Sequence, residues 1–333
     1  MCKLKPFSIF IYGIQKRCWA CGFNDCIKWG TQQGKQRFKC KNCGILFTWD
    51  NQVVKDHNRF VWFYKWIMER HVYKNLVRDS GLSQSSLQRL FKRFLSEAPS
   101  VPIRSKNKVH LLIDGSYFPN DLCLVLYYDH DLRYVQLYRH TDQERYKQIK
   151  EDLDNLKKLG VDVYSVTCDG HKAILKAVSK AYPNAIIQRC LVHVKRQARN
   201  YLSESPQLIS GQELLAISKR ITGISTYEQC GLWLISMKQW EIKYLEFVNE
   251  TSLNAETGRY WYKHKNLHAA YTLIVKAIPN MFHYLDDKEI PNTTNRLENY
   301  FKHLKEKLTL HSGLRIDSKR NFIKWYLHLK NTK

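Results

Sequence analysis

Acidic residues are scarce in this chain. Its 30 Asp and Glu stand against 54 Lys and Arg, a formal charge of +24 over 333 residues. That imbalance argues against cationic partners and points to a polyanion: nucleic acid first, an anionic membrane surface second. Long apolar runs are also lacking. No segment approaches the ~20 residues of a spanning helix, which weakens the membrane reading. The early "FSIFIYG" is too short for a secretory core, and no small-residue cleavage site follows it. The sequence contains no G-x-x-x-x-G-K-[ST], no G-x-S-x-G and no H-E-x-x-H, so the commonest phosphate-loop, serine-hydrolase and zinc-protease signatures are absent. With no export signal, the ten cysteines are expected in a reducing compartment, where disulfides are rare and clustered thiols are better read as metal ligands. What remains is ordinary globular material: 44% hydrophobic and 13% aromatic residues, with length enough for two or three domains.

Four of the cysteines do cluster. "RCWACG" supplies Cys18 and Cys21, and "FKCKNCG" supplies Cys40 and Cys43, two C-x-x-C pairs with 18 residues between them. That spacing belongs to four-cysteine zinc sites. Two residues between thiolates let both sulfurs of a tight turn face one tetrahedral ion at roughly 2.3 Å. A glycine follows each pair (Gly22, Gly44), where such turns often need positive φ. The intervening "WGTQQGKQRFKC" reads as strand, turn, strand. The expectation is a zinc ribbon over 14–50 with a purely structural Zn²⁺, all four positions being filled by protein. Cys26 is a spare thiol expected to pack.

From Arg59 to Ala98 apolar residues recur at helical spacing, among them Leu87, Leu90, Phe91 and Phe94. Gly81 sits in a short turn, and Ser83 suits the cap of the following helix. The pattern fits a helix-turn-helix over 55–98 whose second helix presents Gln84, Ser85, Gln88, Arg89 and Lys92. Gln and Arg read base edges and Lys holds phosphate. The alternative is a helical hairpin with solvated charges. "SEAPSVPIRSKNK" then reads as a linker, with a boundary near Ser100 to Lys106.

Beyond the linker the period changes. "VHLLIDGSYF", "LCLVLYYD" and "RYVQLYRH" read as strands, the last two forming a hairpin across Asp129, His130 and Asp131. "TDQERYKQIKEDLDNLKKLG" reads as a helix with a Thr141–Glu144 capping box and Gly160 as its stop. "VDVYSVTC", "GHKAILKAVSKAY" and "NAIIQ" follow as strand, helix and strand. Three strands, a helix, a strand, a helix and a strand fit an α/β, ribonuclease H-like fold. In that order Asp114 ends the first strand and Asp169 follows the fourth, which lies beside it. In "NTTNRLENYFKHLKEKLTLH" the stripe Leu297, Phe301, Leu304 and Leu308 leaves Glu298 at the edge of the buried face and Glu306 toward solvent. Three converging carboxylates would repel and take up protons. Two Mg²⁺ ions (or Mn²⁺) roughly 4 Å apart would remove that problem and serve an in-line displacement at phosphorus. Singly, each acid has a plainer reading: Asp169 as a helix cap, Asp114 as a strand-end turn acid, Glu298 as an ordinary helical Glu. Asp129, Asp131 and Asp142 belong to turns and capping.

The block "DGHKAILKAVSKAYPNAIIQRCLVHVKRQ" resembles the second-acid region of DDE transposases of the Mutator-like type and their bacterial insertion-sequence relatives, including a closing C-x-x-H, here Cys190 and His193. "LIDGSYF" is similar to that family's first-acid strand and "TNRLENYFKHLKEKL" to its final Glu helix. The likeness spans roughly 103–330. It implies a catalytic triad of Asp114, Asp169 and Glu298, with Asp114 touching both metals and the others one each. It also implies a catalytic domain over 106–201 and 293–330, split by a mainly helical insertion over 202–292. The partners implied are terminal inverted repeats, target DNA and a second copy of the chain, since two ends must be paired, in the nucleoid of a prokaryotic cytoplasm. Cys190 and His193, sharing one helical face, are read as structural residues near the site rather than as zinc ligands. Trp233 and Trp240 of the insertion can stack on unpaired bases, though such residues are more often core. Two other functions remain open: a DNA-binding regulator with vestigial acids, and a nuclease that cuts without joining.

Overall fold

The computed structural model describes residues 18, 21, 23–48, 51–97, 99–104, 107–118, 122–253 and 256–332, with backbone alone at 51–58 and 122. The "FSIFIYG" segment and Gly22 lie outside them, as do several residues of the expected 14–50 ribbon. The chain divides into two compact units, Met1–Ser100 with Glu306–Lys333, and Val101–Lys305.

The first unit begins with a three-stranded antiparallel sheet in sequence order: β1 (Cys26–Gln32), β2 (Lys35–Cys40) and β3 (Leu46–Thr48). Gln33 and Gly34 both take positive φ, 49° and 73°, the geometry of a two-residue hairpin turn that matches the strands' twist. Phe38 and Phe47 close a small core over Cys18 and Cys40, with Cys26 packed against it. Three helices follow: α1 (Asn51–Met68), α2 (Tyr73–Ser80) and α3 (Gln84–Ser96). Gly81 closes α2 in the left-handed region at φ 68°. The Ser83 hydroxyl accepts the Ser86 N–H and opens α3. Leu87, Phe91 and Leu95 are buried, while Gln84, Ser85, Gln88, Arg89 and Lys92 are all exposed.

The second unit is built on a mixed five-stranded sheet. Its elements are β4 (Val109–Phe118), β5 (Leu122–Asp129), β6 (Tyr134–Thr141), α4 (Tyr146–Lys158), β7 (Val163–Cys168), α5 (Lys172–Ala181) and β8 (Ile186–Arg189), and the strand order is β6-β5-β4-β7-β8. β4, β5 and β6 run antiparallel, whereas β7 pairs parallel to both β4 and β8. Val109, Leu111 and Ile113 of β4 share one core with Ile149, Leu153 and Leu156 of α4 and Ile174, Ala177 and Val178 of α5. Two expectations fail here. Asp114 does not end its strand, because β4 runs on to Phe118 along β5; what stops at Ile113 is the parallel ladder with β7. The Thr141–Glu144 capping box does not form either. Thr141 closes β6, its hydroxyl bonds Gln143 O and Gln148 Oε1 at 2.9 and 2.6 Å, and α4 starts only at Tyr146.

The unit continues with α6 (Leu191–Leu202), α7 (Ile209–Arg220), α8 (Tyr227–Val248), β9 (Thr251–Leu253), β10 (Tyr260–Tyr262), α9 (Lys265–Ala277), α10 (His283–Asp286) and α11 (Asn295–Leu310). α6 to α10 share a second core, in which Leu191 and Val194 meet Leu214, Trp233, Trp240 and Ile274. The segment ahead of α11 is tied to the sheet by hydrogen bonds from the Thr167 hydroxyl to Pro291 O (2.6 Å) and the Gln188 amide to Met281 O (2.7 Å), and to the start of α6 by the Leu191 N–H to Asn292 O (3.0 Å). These bonds fix where α11 begins. Its stripe Leu297, Phe301, Leu304 and Leu308 is buried. Glu306 is half-buried in the first unit and pairs with Arg70 at 3.0 Å rather than facing open solvent. α12 (Ile316–Asn331) also belongs to the first unit, although the sequence assigned 293–330 to the catalytic domain. The reason is aromatic packing: Trp325 meets Phe63 at 5.2 Å and Phe322 meets Trp66 at 5.3 Å.

Candidate functional site

Two groups of side chains carry chemistry. In the first unit, Cys18, Cys21, Cys40 and Cys43 bring their sulfurs within 4.8 Å of one another. Two equivalent turns place them: the Cys18 N–H reaches Phe23 O at 2.8 Å, and the Cys40 N–H reaches Ile45 O at 3.0 Å. Gly44 takes φ 73°. Cys21, which accepts the Phe23 N–H, is lowered to about 6. Cys43, despite the Ile45 N–H, is pushed up to about 12 by burial and its three sulfur neighbours. Four thiols so packed, with backbone N–H groups aimed at their sulfurs, are a donor set for a soft tetrahedral cation.

The second group surrounds the end of the β4–β7 ladder. Ile113 pairs with Cys168, so Asp114, the next residue of β4, adjoins Asp169, the first residue past β7. Asp114 is 8% exposed. Burial pushes its carboxyl up to about 7, with Asp169 and Glu144 adding to the rise against the pull of His193. Asp169 is half-buried, and its Oδ1 accepts the His171 N–H at 2.7 Å. The expected cap of a helix starting at Gly170 is therefore an Asx turn instead, with α5 beginning two residues later.

Glu298 lies in the first turn of α11. It does not join the two aspartates in one tight cluster. Among the described residues the four cysteines are the one group of three or more whose ligand atoms all lie within 4.8 Å. The Arg196 guanidinium donates to both Glu298 oxygens at 3.0 Å, and His193 Nε2 stands 3.4 Å from Oε1. Burial raises the Glu298 carboxyl, but Arg196 and then His193 outweigh it and hold it below the usual range.

His193 connects the acids. Burial works against its protonation, yet Cys190, Asp114 and Glu298 raise it to about 9. As imidazolium it donates toward Glu298 from Nε2 and toward the Thr294 hydroxyl, 3.3 Å away, from Nδ1. The Thr294 hydroxyl and N–H in turn donate to Cys190 Sγ at 3.4 and 3.3 Å. Cys190 is lowered against its own burial, chiefly by His193. Cys190 and His193 thus pair with each other and with Thr294, near the acids.

Sequence reasoning missed Glu144 and Arg189 and the two glycines, Gly115 and Gly170, that make room for them. Glu144, read as a capping residue, turns inward instead. Burial and then Asp169 raise its carboxyl, and His171 Nδ1 lies 3.7 Å from Oε2. A Cβ on Gly115 would meet Glu144 Oε1 at 1.9 Å, so the glycine after the first acid leaves room for a fourth carboxylate. Arg189 donates to the Asp169 carbonyl at 3.0 Å. A Cβ on Gly170, at φ 87°, would land 1.9 Å from its guanidinium. The "DG" written twice, at 114–115 and 169–170, was the available signal. Trp233 and Trp240 are each 2% exposed and donate their indole N–H to Ile217 O and Ser210 O at 3.0 and 2.8 Å, so both are core.

Asp114 is buried and Asp169, Glu144 and Glu298 are half-buried around the point where the parallel β4–β7 ladder ends. The family model of Mutator family transposases matches residues 133–221, so that stretch is similar to transposases of that family. It contains Glu144, Asp169, Cys190, His193 and Arg196; Asp114 and Glu298 fall outside it. No curated protein matches the chain. Among the described residues no helix is long and apolar enough to cross a membrane.

Proposed function

We propose that the chain is a DDE transposase of an insertion sequence, with a ribonuclease H-like catalytic domain that cleaves DNA at terminal inverted repeats and joins the ends to target DNA. The observation that carries the reading is the Ile113–Cys168 register, which brings Asp114 up beside Asp169 where the parallel β4–β7 ladder ends, within and next to a Mutator-type transposase match. Asp114 and Asp169 offer oxygen donors alone, the donor type Mg²⁺ or Mn²⁺ prefers. One or two carboxylates suffice for Mg²⁺, because it keeps several waters. Burial, with Asp169 and Glu144 adding to it, drives Asp114 up to about 7, and a dication beside the pair would offset that cost, so the pair fits the ion. When bound, Mg²⁺ neutralises charge developing at the phosphoryl group and lowers the barrier to in-line attack.

This chain's own residues do the positioning. His193 and Arg196 keep Glu298 ionised as the third acid, and Arg189 and Gly170 fix the backbone that carries Asp169. The ribbon holds a structural Zn²⁺. Gln84, Ser85, Gln88, Arg89 and Lys92 form a helix-turn-helix face that reads the repeats, and a homodimer or higher assembly pairs the two ends.

The test is cleavage and joining of DNA bearing the element's ends, with Mg²⁺, by wild type and Asp169→Asn. Loss of both steps in Asp169→Asn, with folding and DNA binding retained, is expected. The engagement of both Glu298 oxygens by Arg196, with no tight cluster of the three acids, favours one other reading, a regulator that binds DNA without cutting. Wild-type protein that binds the ends but cuts none establishes that reading. Cutting without joining makes the chain a nuclease.

A further inference from the structure

The buried Trp233 and Trp240 leave open where an aromatic contact to bases would be made. The β9–β10 hairpin, between α8 and α9, answers with different residues. Its register pairs Tyr260 with Leu253, Trp261 with Ser252 and Tyr262 with Thr251. Its base is anchored: the Lys263 N–H bonds Glu250 O at 2.8 Å, His264 stacks on Phe247 at 3.8 Å and Tyr262 on His268 at 3.6 Å. Its outer part is bare. Tyr260 is 72% exposed, Leu253 52% and Trp261 49%. No ring or cation in the described residues covers Tyr260 or Trp261. Strand alternation puts them on opposite faces of the ribbon.

An unpartnered aromatic surface normally signals an occupant. Charge decides which. Arg259 and Lys265 are exposed, and neither has a carboxylate within ion-pair distance among the described residues. Lys263 is satisfied by Glu250 at 3.3 Å. Flat apolar rings flanked by free cations on a chain of charge +24 complement stacked bases joined by phosphates. An apolar protein surface would leave Arg259 and Lys265 without counter-charge.

We propose that the β9–β10 hairpin is a stacking platform for unpaired DNA bases, with Trp261 and Tyr260 taking base faces and Arg259 and Lys265 the adjoining phosphates. The inference rests on the reading that DNA is the substrate, and it places the contact for exposed, unstacked nucleotides at this hairpin. Both rings lie outside the cores, so their removal spares the fold.

Fluorescence anisotropy of the full chain on two DNAs tests it: a blunt duplex, and the same duplex with a short oligo-dT extension. Aromatic stacking on a base contributes on the order of a tenfold change in affinity. Wild type is expected to bind the extended DNA about tenfold tighter than the blunt one. Trp261→Ala should lose that preference while keeping its affinity for the blunt duplex and its melting temperature, and Trp261→Phe should keep most of it. The proposal is overturned if Trp261→Ala and Tyr260→Ala each bind both DNAs as wild type does. It is also overturned if Trp261→Ala changes the sedimentation coefficient but not the preference, since the hairpin is then a contact between copies. Wild-type protein that binds neither DNA removes the DNA reading itself, an outcome distinct from either.

Discussion

The four cysteines and the four carboxylates solve the same electrostatic problem in opposite ways. Each cysteine pair is local, and two equivalent turns hold the sulfurs within 4.8 Å of one another. The acids come from β4, the β6–α4 connection, the end of β7 and α11, and they reach no comparable closeness. Instead each is managed separately: Asp114 by burial, Asp169 by a backbone N–H, Glu144 by His171, and Glu298 by Arg196 and His193. Four thiols gathered by two local turns are a closed donor set of the kind that serves structure. Acids drawn from four separate elements, each with its own protein environment, form a more open arrangement, and the proposed function turns on that openness.

The largest effect should come from the closed site. Removing Zn²⁺ with a chelator, or Cys40→Ser, is expected to unfold the ribbon, because structural zinc contributes on the order of 10 kcal/mol. Metal analysis should fall from one zinc per chain to none, with new proteolytic cuts within 18–48. A ribbon that stays protected without metal would erase the contrast between the two sites.

At the open site, Asp114→Asn should separate activity from stability. Strand cleavage should fall by about a thousandfold or more. Stability should move the other way. The Asp114 carboxyl is raised from 3.8 to about 7 in the folded chain, so between those values the folded state holds a proton the unfolded state has released. Stability therefore falls as pH rises through that window. Asp114→Asn should abolish that fall and raise the melting temperature at pH 8 by several degrees. A variant that melts lower at pH 8 than wild type would mean the acid is not strained.

Gly115→Ala is next in size. A methyl group 1.9 Å from Glu144 Oε1 must displace that side chain, at a cost of ~1–3 kcal/mol. In Glu144→Ala the same substitution should be nearly free, so urea melts of the two single variants and the double variant should be non-additive. Additive values would place Glu144 away from Gly115. The smallest effects belong to the exposed face of α3. Lys92→Ala should leave the melting temperature unchanged and reduce the slope of log affinity against log salt by about 1.

The sequence was legible where neighbours in the chain are neighbours in space. C-x-x-C spacing points two thiols at one ion, and the order of strands and helices along the chain follows from period and turn chemistry. Glu144 was misread because T-x-x-E is a local cap signature. Whether its side chain bends back over Gly115 depends on β4, some thirty residues earlier. Glu298 was correctly placed on the edge of its helix, but its partner Arg196 is 102 residues away, and a stripe pattern carries no information about that. Trp233 and Trp240 read equally well as core or contact. "YWY" is too short a run to reveal a hairpin by alternation, and only fold-level burial separates the tryptophans of α8 from Trp261.

With the Arg189 guanidinium standing where a Cβ on Gly170 would fall, any other residue at this position must push that side chain aside and also hold a backbone at φ 87°. The bond from Arg189 to the Asp169 carbonyl would be lost with it, so a single methyl group here would loosen the turn that carries Asp169 without touching the acid itself.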